Sequence, residues 1–409
     1  MKNIKLSEGI KYWSQVLLLP VYWFSFLVPR NKRIWVFGST FGRRFADNPK
    51  YFYLYLNKHP EENIRAIWIT HDETISEFLN KKGYEAYHIN SPKGIWYALR
   101  GGVYLFDNYS KDISFWLSGG AVKFNLWHGS GNKRTNFDNL FDKVRHPKNL
   151  WERFKTFPRR LSDEKPHHYT LATSQAMAEI TQSAFHTSRE HVIIDGYPRN
   201  DAVLDSSYPN LFSKEEKENR EYILKWKQEG KKIDFYMPTF RDSEGDFFKV
   251  VNLETLNRFF MDNNIIFITK LHPKSKIKAE FSKIDYSNIR NIDAKIDPYT
   301  FLEFVDILTT DYSSIYTDFM LFDKPVVAFP YDYEKYSGGT REEYIPSGEY
   351  MPELTAINQE ELMEFTLRVL ANDSNRELRK ISRDRMFLYQ DANATGRLVE
   401  KVKKIIGLS

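Results

Sequence analysis

Three runs in this sequence place the residue types of phosphate chemistry at the ends of apolar stretches. The first is Trp127-His128-Gly129-Ser130-Gly131-Asn132-Lys133-Arg134, where a histidine leaves a strand-like run into a basic turn. Glycine lets a backbone approach a ligand closely, and Lys and Arg neutralise phosphate. A histidine titrates near working pH, so His128 is a candidate general base, with Gly129, Lys133 and Arg134 holding its substrate. The competing reading is a solvated loop histidine. The second constellation joins Pro238-Thr239-Phe240-Arg241-Asp242 with Lys270-Leu271-His272-Pro273-Lys274. Adjacent parallel strands would bring Arg241 and His272 to one edge as an anion cradle, with Lys270 and Lys274 adding positive field. Scattered surface charge is the alternative. The third is Thr309-Thr310-Asp311-Tyr312-Ser313-Ser314, followed by Ile315-Tyr316-Thr317-Asp318. Here Ser313-Ser314 is expected to open a helix whose free N–H groups bind a phosphate, and Asp318, one turn on, reaches toward ribose hydroxyls. Alternatively, Asp311 or Ser313 simply caps that helix.

These runs need sheets to present them. RIWVFG, NIRAIWIT, EAYHIN, VYLFDN and AVKFNLW are short β-rich runs alternating with amphipathic stretches. Asn48-Pro49 and Ser91-Pro92 each place an N-cap residue before a proline, and Gly83 and Gly101 stand where helices should stop. YTLATS and HVIIDG complete the first half; residues 131–166 between are irregular and charged. After the long polar helix SKEEKENREYILKWKQEG come KIDFYMPTF, NIIFITKLHP, DILTTD and PVVAFP. Such βαβα alternation predicts two Rossmann-like halves with parallel sheets, divided near Asp201 to Ser213, whose ligands sit at the carboxyl ends of the strands. The last forty residues are expected to be helices that cross back and brace the two halves.

With 42% hydrophobic and 28% charged residues over 409 positions, the chain is globular, and two domains of ordinary size fit its length. Its net charge of +5 lacks the blocks of a nucleic-acid protein, and zero Cys excludes disulfides, thiolate zinc sites and cysteine nucleophiles. Between Lys11 and Arg30 no residue is charged. As a helix, residues 12–28 would extend about 25 Å, short of the roughly 30 Å hydrocarbon layer. Pro20 interrupts it, while Lys2, Lys5, Lys11, Arg30, Lys32 and Arg33 flank it, which favours an anchor lying on an anionic leaflet. The alternative is a core helix.

NLWHGSGNKR, GYPRND, YMPTFRD, KLHP and TDYSSIYTDFMLFDKPVVAFPYDYEKY, in this order, resemble the CDP-glycerol:poly(glycerophosphate) glycerophosphotransferases of teichoic acid synthesis, and FADNPKYFYLYL is similar to that family's opening helix. The likeness runs from about Asn31 to Arg397. It implies a GT-B-like fold, two Rossmann-like domains with parallel sheets facing across a cleft and C-terminal helices bracing both. The expected division is a membrane-associating helix at 1–30, an acceptor-binding domain at 31–205, a CDP-donor-binding domain at 206–375 and C-terminal helices at 376–409.

By resemblance, His128 is the base for the acceptor hydroxyl and His272 the second catalytic histidine, at the donor pyrophosphate. Pro238, Thr239, Arg241, Thr310, Asp311, Ser313, Ser314 and Asp318 fall on donor-binding elements. Where this chain has His128-Gly129-Ser130-Gly131, the family usually reads HGT followed by Pro. The implied reaction moves glycerol phosphate, or a related polyol phosphate, from CDP-glycerol to a lipid-linked or polymeric acceptor, releasing CMP, at the cytoplasmic face of the membrane. No cluster has metal-ligand spacing, so neither a metal nor a tightly bound cofactor is assigned, and any Mg²⁺ would arrive with the phosphates. No nucleic-acid partner is expected. A GT-B glycosyltransferase using a nucleotide sugar, or a membrane-bound nucleotide-sensing scaffold, are the competing readings.

Overall fold

The computed structural model describes residues 13–164, 167–239, 247–272, 275, 277–281, 285–332 and 342–408. The chain divides into two units. Unit 1 takes the chain through His128, Thr135–Asn210 and the stretch from Asp391; unit 2 takes Gly129–Arg134 and Leu211–Gln390.

In unit 1 the apolar runs become β1 (Asn31–Phe37), β2 (Arg65–Thr70), β3 (Ala86–His88), β4 (Gly101–Phe106), β5 (Val122–Asn125), β6 (Tyr169–Ala172) and β7 (Val192–Ile194). They pair in parallel in the order β3-β2-β1-β4-β5-β6-β7. In unit 2, β8 (Lys232–Tyr236), β9 (Ile265–Thr269), β10 (Ile289–Asn291), β11 (Ile307–Thr310), β12 (Val326–Ala328) and β13 (Leu354–Thr355) pair as β10-β9-β8-β11-β12-β13, again in parallel. Every residue of β4 and β9 is buried, as expected where helices cover both faces of a parallel sheet. Strand order reverses between β1 and β4 in unit 1 and between β8 and β11 in unit 2. The loops that follow these four strands therefore diverge and leave a crevice at each carboxyl edge.

Ser91 caps the helix Pro92–Arg100 and Gly101 ends it, as the sequence predicts. Two expectations need correction. Of the expected helix 12–28, the described residues 13–28 do not form one α-helix: Gln15–Leu18 is 3-10, and the α-helix Leu19–Ser25 starts there because Pro20 fits a first turn without losing a hydrogen bond. Arg30, expected as a flanking surface cation, turns its charge inward. Its guanidinium donates to the carbonyls of Ala98 (2.6 Å) and Leu117 (2.7 Å) and also bonds Gly119, pinning the segment to unit 1. Residues 1–12, which carry Lys2, Lys5 and Lys11, lie outside the described residues. Within the charged stretch 131–166, Leu150–Asp163 is a helix, capped by Asn149, whose side chain accepts from the Glu152 N–H at 2.9 Å. The helix Ala394–Ile406 belongs to unit 1, where the Asp201 carboxylate accepts from the Ala394 and Thr395 N–H groups at 2.9 and 2.7 Å. Among the described residues no helix is long and apolar enough to cross a membrane.

Asp234 sits wholly buried in β8, bonded to the Thr309 hydroxyl at 2.8 Å. Burial pushes its carboxyl up to about 7. The folded state thus keeps a proton that the unfolded chain releases near pH 3.9, and the stabilisation is lost as pH rises from there through about 7. Asp234→Asn, which cannot ionise, is expected to melt at nearly the wild-type temperature at pH 4 and well above it at pH 8. The gap corresponds to at most about 4 kcal/mol. Differential scanning calorimetry at both pH values checks it; a pH-independent gap would contradict a buried ionisable carboxyl.

Candidate functional site

In unit 1 the chemistry begins where β5 ends. Trp127 adopts a left-handed φ of 55°, which turns His128 out of the strand direction into an exposed position. A β-carbon in that region costs about 1–2 kcal/mol, so something must hold it. Asn48 does. This buried amide donates to the carbonyls of Leu126 (3.2 Å) and Trp127 (2.8 Å) and accepts from the Arg199 N–H (3.2 Å). Arg199, buried, also donates to Asp47 at 2.7 Å. The predicted N-cap role of Asn48 is therefore corrected: the helix Asp47–Lys58 begins two residues before Pro49, and Asn48 spends its side chain on the turn before His128.

His128 Nδ1 lies 3.1 Å from the Asp107 carbonyl. A carbonyl only accepts, so Nδ1 carries the proton, leaving the Nε2 lone pair of the neutral ring for chemistry. Asp107 is itself fixed: its carboxylate accepts from the Ser39 hydroxyl (2.5 Å), the Thr40 N–H (3.0 Å) and the Asn108 amide (2.6 Å). Burial raises the Asp107 carboxyl, with the Asp47 charge adding to it, and burial with the Asp107 charge raises Asp112 well above the carboxylate range.

In unit 2, the Asp311 carboxylate accepts from the Thr239 N–H at 2.9 and 3.1 Å, tying the end of β11 to the loop after β8. It does not cap the next helix. That helix, Ile315–Phe319, is a single short turn, with Ser314 making no side-chain cap, so Ser313-Ser314 supplies hydroxyls and few aligned amides. Thr310 donates to the Met237 carbonyl at 2.8 Å, tightening the Pro238 loop. Asp318 is buried and accepts from the Tyr299 hydroxyl, so it supports the site from beneath. His272 leaves β9 exposed, with its carbonyl accepting from the Ser275 N–H at 2.8 Å. Arg241 and Lys274 lie outside the described residues.

Gly129, Lys133 and Arg134, read from sequence as acceptor-binding, lie in the strap Gly129–Arg134, which is part of unit 2. Lys133 Nζ donates to the Thr239 hydroxyl at 3.4 Å and lies 5.2 Å from the Tyr312 ring centre. The Arg134 N–H donates to the Glu342 carbonyl at 2.9 Å. Asn132 pairs through both ends of its amide with the backbone of Ile345, at 2.7 and 2.8 Å, and Thr317 donates to the Ser130 carbonyl at 2.8 Å. The strap closes one side of a cavity of about 350 Å³ at the carboxyl edge of this sheet, lined by Lys133, Asp311 and Tyr312 with Pro330, Met351 and Ile357. Apolar walls beside a lysine and an exposed edge suit a flat base joined to phosphates. Among the described residues no group of His, Asp or Glu is placed to hold a metal ion. Sequence reasoning did not single out Asn132 or Met351, which carry no chemical signature without their neighbours.

Two parallel α/β units, each carrying polar side chains at its carboxyl edge, define a fold of the GT-B-like class. The chain belongs to the CDP-glycerol:poly(glycerophosphate) glycerophosphotransferase family, whose pattern matches residues 21–404. It is 25% identical over 402 residues to the teichoic acid glycerol-phosphate transferase of Staphylococcus aureus, covering 91% of this chain and 94% of that protein. It is 30% identical over 247 residues to a teichoic acid ribitol-phosphate polymerase of the same species, covering 57% of this chain and 45% of that one. The solved structure of the wall teichoic acid polymerase TagF superposes with a TM-score of 0.73 at 23% identity, over 99% of this chain and 96% of the other.

The strap generates a prediction. Asn132→Ala removes both bonds to Ile345, each contributing about 1 kcal/mol. Amides of residues 130–134 and 342–345 are expected to lose hydrogen-exchange protection together by about tenfold, while those of β9 keep theirs. Unchanged protection would mean the strap is held elsewhere.

Proposed function

We propose that this protein transfers a polyol phosphate, glycerol phosphate in the first instance, from its CDP-activated form to a hydroxyl of a lipid-linked polymer. One observation carries the reading beyond family membership: the sequence runs shared with the family emerge at the carboxyl edges of the two sheets, His128 after β5, Thr239 after β8, His272 after β9 and Asp311 after β11. Scattered surface charge would not collect there. His128 Nε2 takes the proton of the acceptor hydroxyl, the freed oxygen bonds to the β-phosphorus, and the bond from that phosphorus to the bridging oxygen breaks. CMP leaves with the electron pair. Positioning and charge neutralisation supply most of the acceleration in such transfers. In unit 2 this task falls to Lys133, His272 and the Ser313-Ser314 hydroxyls and, by sequence resemblance alone, to Arg241, and the cavity lined by Lys133 and Met351 takes the base.

His128→Ala is expected to lower turnover by about 10²–10⁴ while leaving CDP-glycerol affinity within a few-fold. His272→Ala is expected to damage both. Single-turnover rates beside calorimetric titration check the pair; loss of donor binding in His128→Ala alone would reverse the assignment.

The same reading places the protein on the cytoplasmic membrane surface. Trp23 (66% exposed), Phe24, Phe26 and Leu27 are exposed, as are Leu150, Trp151 (61% exposed) and Phe154, and Trp13 packs on Phe154 with ring centres 4.7 Å apart. The exposed cations Lys148, Arg153, Lys155 and Arg159 border these residues. Apolar rings ringed by cations fit an anionic interface. The double variant Trp151→Glu, Phe154→Glu is expected to cut sedimentation with phosphatidylglycerol vesicles by at least tenfold at an unchanged melting temperature. Full retention would remove this surface from consideration.

A further inference from the structure

The donor-side arrangement of unit 2 occurs a second time, in unit 1, at a place to which no role has so far been given. In unit 2, Thr239 is the third residue after β8 and Asp311 the first after β11, and the Thr239 N–H donates to the Asp311 carboxylate. In unit 1, Thr40 is the third residue after β1 and Asp107 the first after β4, and the Thr40 N–H donates to the Asp107 carboxylate at 3.0 Å. The bonds behind these match as well. Met237 N donates to the Thr309 carbonyl and Gly38 N to that of Leu105, both at 3.2 Å. Phe329 N donates to the Thr310 carbonyl and Leu126 N to that of Phe106, both at 2.7 Å.

In sequence alone, Thr239-Phe240-Arg241 resembles Thr40-Phe41-Gly42-Arg43, which has one residue more before its arginine, and Asp311-Tyr312 resembles Asp107-Asn108-Tyr109, whose tyrosine stands one residue later. Each unit also has a lysine over a tyrosine ring near this point, though not at matching positions: Lys133 lies 5.2 Å from Tyr312, and Lys111, which is ion-paired to the buried Asp163 at 2.7 Å, lies 4.7 Å from Tyr109. Unit 1 adds backbone distortion: Thr40, Phe41 and Gly42 take φ values of 49°, 56° and 75° in succession. A β-carbon at Gly42 would meet the His71 ring at 2.1 Å, so Gly42 lets the loop fold tightly and carry the exposed Arg43 to the edge. Phe41, also exposed, stands beside it. The Asp107 carboxylate does not repel an anion here as a bare charge would, since Ser39, Thr40 and Asn108 all donate to it.

We propose that the loop Ser39–Arg43, with Lys111, is a second phosphate site, which holds the last phosphodiester of the acceptor chain. The Asp107 carbonyl fixes His128 while its carboxylate holds the loop at Thr40, so one residue ties the proposed phosphate site and the base to the same strand end. A growing polymer of polyol phosphate repeats the chemistry of its donor, and the protein meets it with the same Thr-Asp device in both units. This assignment rests on the reading that His128 activates the acceptor.

The test uses the full chain with CDP-glycerol and two soluble acceptors, a synthetic di(glycerol phosphate) and the same molecule with its internal phosphodiester methylated to a neutral triester. Arg43→Ala is expected to raise KM for the anionic acceptor at least tenfold, to leave calorimetric CDP-glycerol affinity unchanged, and to leave KM for the triester unchanged. Wild-type enzyme should itself prefer the diester, and Arg43→Lys should recover part of the loss. If wild type transfers from CDP-glycerol but Arg43→Ala keeps its KM for the diester, or if wild type takes the triester equally well, the second phosphate site is overturned while the reaction stands. If wild type releases no CMP from CDP-glycerol, the reaction itself is wrong. A global folding defect in Arg43→Ala would lower turnover with both acceptors alike and move neither KM, which also overturns the site.

Discussion

A parallel sheet satisfies its backbone through the ladder only as far as the strands run, and at the point where strand order reverses the next loops diverge with donors to spare. In both units a buried aspartate supplies the missing acceptor. Asp107 joins the loop after β1 to the end of β4, and Asp311 joins the loop after β8 to the end of β11. A carboxylate taking backbone N–H groups makes a stronger bond than a neutral acceptor, and it fixes the path of a loop that has no other regular partner. The rest of each site depends on that tie. The carbonyl of Asp107 orients His128, and Thr239, held by Asp311, is the residue that Lys133 meets.

Around those ties, neutral amides set the finer geometry. Asn48 holds a left-handed tryptophan in place ahead of His128, and Asn132 fastens the strap that follows it. Because an amide offers donors at one end and an acceptor at the other, each can grip two chain segments at once. Neither carries charge, so neither competes with phosphate for the cations nearby.

Much of the fold was legible because central strands are dense in Val, Ile and aromatics. The edge strands β10 and β13 were not: three and two residues long, they form only because a neighbour offers a ladder. The helix Leu150–Asp163 was hidden by Pro158, which reads as a breaker although Asn149 and Glu152 give the start signal. His128, His272 and Asp311 could be found because their types announce chemistry. The grouping of Lys133 with Thr239 and Tyr312 could not, since it follows from long-range pairing of residues 129–134 with 342–345 rather than from spacing. Asn48 misled for a related reason: Asn before Pro is a good cap, and only the folded chain shows that its amide is needed elsewhere.

The helix Ala394–Ile406 has a bearing on how the molecule is made. It completes unit 1, capped by Asp201, yet it follows the whole of unit 2 in the chain. A ribosome must therefore finish the second unit before the first can close, and nascent unit 1 waits with Val399, Val402 and Ile406 still missing from its surface. A stop codon or protease cut shortly after Gln390 would spare every residue of unit 2 while leaving an uncovered apolar face on the other. Synthesis in order from the amino end thus gives the second unit the chance to mature first, and chaperone demand falls on the half whose sequence emerges earliest.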